Sequence, residues 1–190
     1  MAENEELRRA LDRYLAFQRF CNEARNLADR EPGKFMNRFA KYVSGRHVGK
    51  KHKSPRDFCG ELFDDLMPAL YEACFVHIVS VFEKVAFDHL DNAVGPMRNT
   101  MEAGYRSGPF FMVSKRFVKQ KEEIKNLGGV TQLLKGKIPQ NLEKDLIWVV
   151  DYRNRLAHGK HFGEEPREPK DMQEVVEILE SVLEQIAPSS

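Results

Sequence analysis

The chain predicts an all-α fold, and three observations carry that prediction. Apolar residues recur at helical spacing along most of the sequence. The strict alternation of a half-buried strand is scarce. Stretches rich in Gly and Pro, such as EPG at 31–33, GKIPQN at 136–141 and HFGEEPREP at 161–169, cut the chain into helix-length pieces. No internal repeat and no low-complexity segment interrupts this pattern.

Each element then follows in order. Residues 4–30 form a first helix with Leu7, Leu11, Leu15, Phe17, Phe20 and Cys21 on its apolar side, and the EPG stretch ends it. A short second helix covers 34–44. SGRHVGKKHKSPRD at 44–57 lacks apolar periodicity and reads as an exposed basic loop. Residues 60–92 carry the longest helix, in which Pro68 marks a kink or a new start. From Leu70 to Leu90 its apolar side chains cover nearly the whole circumference, which predicts a central helix or one shared between a core and a partner. Residues 94–111 read as a connection with short helical turns. A basic amphipathic helix at 111–127 ends at NLGG. Two more helices cover 139–158 and 170–187, the last with Met172, Val175, Val176, Leu179, Val182, Leu183 and Ile186 at clean helical spacing. The basic loop divides the chain into an N-terminal helical arm with its loop, residues 1–58, and a main helical domain, residues 59–190.

Composition narrows the function. A chain of 190 residues, 42% hydrophobic and 31% charged, can bury a hydrophobic core. A net charge of +1 excludes a polyanion-binding protein of uniform basicity, so any nucleic-acid contact must be local. The apolar runs read as too short to span a membrane, no N-terminal signal pattern is seen, and Cys21, Cys59 and Cys74 have no metal-binding spacing. A cytoplasmic protein without membrane partners is expected. His47, His52, His89 and His161 share no ligand spacing with acids or thiols, and no Gly-rich phosphate loop occurs, so neither metal nor cofactor is expected.

The unusual stretch is WVVDYRNRLAHGK, Trp148 to Lys160. With Leu146 at zero on a helical wheel, Val150, Arg153 and Ala157 fall within about 40° of it. Arg153 therefore lies in the core-facing stripe, where a guanidinium needs a carboxylate, a carbonyl or a bound anion. Asn154 and His158, four residues apart, share a neighbouring flank. Gly159 is a natural residue to follow a helix end, and the negative pole of the helix dipole there favours an imidazolium at His158. A fixed cation, an amide and a titratable ring at one helix end can bind a phosphodiester and move a proton beside it.

RNRLAH at 153–158, followed by Gly159, resembles the Arg-Asn-x-x-x-His signature of the HEPN superfamily, and is similar to its RiboL-PSP and MAE-type ribonuclease groups. FVHIVSVFEKVAFDHL at 75–90 looks like the first core helix of that fold. The resemblance covers about 60–187 and leaves the N-terminal arm without a counterpart. It implies an antiparallel helical bundle that forms a homodimer, with the motif residues of both subunits lining one cleft. It implies a metal-independent endoribonuclease of toxin–antitoxin or antiviral defence systems, with RNA as substrate and an antitoxin or defence protein as a further partner. Arg153 would grip the scissile phosphate, Asn154 would position the phosphate or the histidine, and His158 would act as general acid or base. The products would be a 2′,3′-cyclic phosphate and a 5′-hydroxyl.

Support for that site is sought on the long helix. The resemblance implies Glu83 as the partner of Arg153, because acidic or polar residues on this helix often serve that role in the family; Ser80 and His77 precede it at helical spacing. Against this stand a solvated Glu83 and a core histidine at 77. Lys50, Lys51 and Lys53 of the basic loop, with Arg155 and Lys160, are candidates for tracking RNA phosphates; a solvated linker is the plainer reading of the loop. Lys115, Arg116, Lys119, Lys121 and Lys125 are mixed with glutamates and read as a solvated face. A non-catalytic helical module that binds RNA or a protein is the alternative function, because many HEPN-like domains keep the fold and lose the activity. A subgroup regulated by nucleotide transfer carries Tyr two residues after the histidine; Lys160 stands there, which sets this chain apart from it.

Overall fold

The computed structural model describes residues 2–39, 55–104, 127–158 and 168–186. Among them the chain is all-α, with helices α1 (Ala2–Arg30), α2 (Pro32–Phe39), α3 (Pro55–Gly104), α4 (Leu127–Leu134), α5 (Gln140–His158) and α6 (Met172–Ile186). The expected 111–127 helix, most of the basic loop and the acidic loop after α5 lie outside the described residues.

Four expectations about local structure are corrected. Helix α3 runs from Pro55 to Gly104, so no new helix starts at Pro68, and it takes in both the end of the basic loop and the expected connection after residue 94. Proline lacks one backbone donor, but a long helix whose flanks pack elsewhere tolerates that loss. The second correction concerns its circumference. Ala69, Ala73, His77, Ser80, Lys84 and Asp88 form an exposed line at helical spacing, so one face of α3 is small and polar rather than apolar. Third, Gly128 and Gly129 sit inside α4 instead of ending a helix, because Val130 is buried and draws this segment into the core. Fourth, α3 contains a window of mean hydropathy 1.4 within Arg56–Ala93, so by length and composition it is able to cross a membrane, contrary to the reading of short runs. A core helix of a water-soluble protein meets the same criterion, and α3 supplies the fully buried Phe75, Ile78, Val79 and Phe82.

The chain forms two compact units, Arg9–Phe75 and Met1–Arg8 with Val76–Ser190. The division falls inside α3 rather than near residue 58. In the first unit, Ala28, Phe35, Phe58, Cys59 and Phe63 form one apolar cluster, with Ala24 and Leu62 against it. α2 joins because Phe35 meets Phe63 at 5.7 Å between ring centroids. Further along, Tyr14 meets Tyr71 edge-on at 6.3 Å, and Tyr71 stacks on Phe75 at 6.1 Å. Arg25 and Asp64 pair at 3.1 Å on the surface.

In the second unit α5 packs on α6 and on α4. Leu146, Val149 and Val150 of α5 and Met172, Val175, Val176, Ile178, Leu179, Val182 and Leu183 of α6 are buried. Asp171 caps α6: its carboxylate accepts from the Gln173 amide at 2.8 Å, and its carbonyl accepts from Val175. Between α4 and α5 the chain turns at Gly136, whose φ of 66° is unfavourable for a side chain, and Glu143 accepts from the Gly136 amide at 3.0 Å.

Candidate functional site

The C-terminal half of α5 positions the motif. Its buried line of Leu146, Val149 and Val150 is continued by Arg153, as the wheel predicts. The stripe ends there: Ala157 is exposed, so the apolar face does not extend through the last turn. Because the helix is anchored by residues one to two turns earlier, the Arg153 side chain is held at the edge of the core, with 27% of it exposed.

Its terminal nitrogens have two neighbours. Arg153 Nη2 lies 3.5 Å from a carboxylate oxygen of Glu83, an acid only 16% exposed on α3. Nη1 donates to Asn154 Oδ1 at 3.2 Å. The Nε is buried and has no hydrogen-bond partner among the described residues. Arg153, Asn154 and Glu83 therefore form one polar group at the margin of an apolar core, and the carboxylate compensates the guanidinium charge there.

The other candidates divide clearly. His77 is exposed, which removes the core-histidine reading. Ser80 is exposed and its hydroxyl donates to the Val76 carbonyl at 2.8 Å, a bond within its own helix. Arg155 is half-buried. His158 is the last residue of α5. Its side chain, Lys160, and Lys50, Lys51 and Lys53 lie outside the described residues. Among the described residues no group of three or more His, Cys, Asp and Glu is arranged to hold a metal ion.

A second polar group was not foreseen. Lys170 pairs with Glu174 and, at 3.4 Å, with Asp145, while its ammonium sits 5.7 Å from the centroid of the Trp148 ring. Trp148 stacks on Tyr152 at 5.0 Å. The hydrogen bond to Glu174, and then the charge of Asp145, raise the Lys170 pKa above 10.5 against the opposing effect of burial. The four-residue spacing of Lys170 and Glu174 was the available signal; Asp145 and Trp148 come from another helix.

No protein family, no curated protein and no solved structure matches this chain.

Proposed function

We propose that the chain is a metal-independent endoribonuclease of the HEPN type, acting as a homodimer in toxin–antitoxin or antiviral defence. The observation that supports this reading is the Arg153, Asn154 and His158 pattern at one helix end, with Arg153 held by Glu83 at the margin of the core. In this mechanism the RNA 2′-hydroxyl attacks the adjacent phosphorus as a base removes its proton. The P–O bond to the 5′-oxygen breaks, and that oxygen leaves protonated. His158 serves as one of the two proton-transfer groups. Arg153 stabilises the charge that develops on the phosphoryl oxygens. Glu83 is a positioning residue, which keeps the guanidinium in place until the phosphate competes for it. A cyclic phosphate and a 5′-hydroxyl result.

Labelled RNA incubated with purified protein in excess EDTA tests the proposal. Cleavage is expected to persist and to fall by roughly 100-fold or more in His158→Ala. Absence of cleavage over varied RNAs by folded protein would sink it. A second reading, a non-catalytic module that binds RNA or a protein, has its own support: Glu83 and Asn154 already engage both terminal nitrogens of Arg153. On that reading RNA or protein binds without cleavage, and His158→Ala leaves the affinity unchanged.

A further inference from the structure

Helix α1 carries exposed apolar residues beside its core-facing line. Phe17, Phe20 and Leu27 are 59%, 68% and 50% exposed, although the sequence puts both phenylalanines on the same apolar side as Cys21. Tyr14, Cys21 and Ala28 occupy the core-facing line of this helix. The exposed line lies about a quarter-turn round from it.

The spacing of the exposed line is specific. With Ala24, which is half-buried against the unit's own apolar cluster, the exposed Arg13, Phe17, Phe20, Leu27 and Glu31 alternate steps of four and three residues. This is the repeat of a helix seam that packs against another helix. Arg13 and Glu31, both exposed, bracket the apolar part with opposite charge. Glu31 lies just beyond α1 but continues its hydrogen bonding, since its amide donates to the Leu27 carbonyl at 2.9 Å.

We infer that this face pairs antiparallel with the same face of a second copy of the chain, about a two-fold axis level with residue 22. The register follows from the sequence positions. An antiparallel pair centred there sets Phe17 against Leu27 of the copy, Phe20 against the small Ala24, and Arg13 against Glu31, in both halves at once. Large meets small at the centre, which lets the helices approach. A parallel pair would oppose Arg13 to Arg13 and Glu31 to Glu31, and like charges reject it. Lys34, which pairs with Glu31 at 3.1 Å within the chain, then shares that carboxylate with Arg13 of the copy. All six seam residues belong to the Arg9–Phe75 unit, so the inference is independent of the ribonuclease reading.

Sedimentation equilibrium of the full chain tests it. The wild type is expected to hold twice as many 22.0 kDa chains as Phe20→Ser, whose helical circular dichroism is retained: two against one, or four against two where the dimer of the ribonuclease reading also forms. Arg13→Glu and Glu31→Arg each weaken association by about tenfold or more, and the double variant, which exchanges the two charges, restores it. A wild type that stays monomeric at about 100 μM overturns the inference, whatever intramolecular segment covers the face. So does a wild type of the same mass as Phe20→Ser; where that shared mass is a dimer the ribonuclease reading stands, because its dimer uses another surface. A dimer indifferent to both charge reversals, or one not restored by the exchange, overturns the antiparallel register.

Discussion

Helices α1 and α6 have similar apolar patterns and opposite fates. In α6 the residues predicted for the core are sheltered, with Val175, Leu179 and Val182 fully buried. In α1 the apolar residues divide between two faces, and Phe17 and Phe20 stand in solvent while Leu7 and Cys21 are buried. The difference teaches that helical spacing marks which residues share a side, and that a neighbouring helix must be present to bury that side. α6 has α5 against it. Phe17, Phe20 and Leu27 of α1 are exposed, and a second copy of the chain would cover them.

The strongest test of that contrast is truncation on each helix. Leu179→Ala should cost about 2–5 kcal/mol of unfolding free energy in urea, the range for a fully buried leucine that leaves a cavity. Phe17→Ala, at low protein concentration where the chain is monomeric, should cost under about 0.5 kcal/mol. Equal losses would mean that the outer face of α1 is buried in solution by the chain itself.

Between these extremes lies α5, whose buried line ends in a charge. Glu83→Gln removes the partner of a guanidinium that is 27% exposed, so the loss should be about 1–2 kcal/mol, below that for a fully buried pair. Replacing both members, Glu83→Leu with Arg153→Leu, should recover most of it, as thermal or urea unfolding will read. If the double variant is no better than the single one, the pair stabilises through geometry rather than charge compensation.

The cap of α6 offers a smaller change. Asp171→Ala leaves the Gln173 amide without its acceptor and should cost about 1 kcal/mol, read as a lower urea midpoint. Asp171 lies outside the Arg9–Phe75 unit that carries the α1 seam, so the change should leave association through that seam unaltered.

Alkaline pH acts more weakly still and on both units. Burial, and secondly the charge of Asp29, raise the Cys59 thiol above 9.0; Lys170 is raised above 10.5 by Glu174 and Asp145. In both cases the folded chain keeps a proton that the unfolded chain releases. Stability is therefore full below about pH 9 and declines as pH rises beyond it. Thermal unfolding under reducing conditions from pH 7 to 11 should follow that course, and Cys59→Ala should remove the earlier part of the decline. The exposed pair of Arg8 and Glu180, at 2.8 Å, marks the bottom of the scale: Arg8→Ala should move the melting temperature by no more than about 1 °C.

Much of this was readable in the residues. The spacing of α6 names its buried face, and the wheel of α5 puts Arg153 at the end of a core line and asks for an acid, which Glu83 supplies. Glu83 was readable through the family resemblance, which places an acidic or polar partner on this helix. Ser80 and His77 share its spacing but face solvent, since residues three positions apart differ by about 60° on a helix. The pairing of Lys170 with Asp145 and Trp148 was illegible because those residues are more than twenty positions away, and local spacing carries no information at that range.

By itself the sequence determined that the chain is helical, where α5 and α6 lie, and that Arg153, Asn154 and His158 share one helix end, because these follow from local periodicity and terminal chemistry. Only the tertiary structure decided that no new helix starts at Pro68, that Gly128 and Gly129 are helical, that Glu83 meets Arg153, and that Phe17 and Phe20 stay outside. Each of those outcomes depends on what packs across from the residue, and helix propensity is too weak to oppose it.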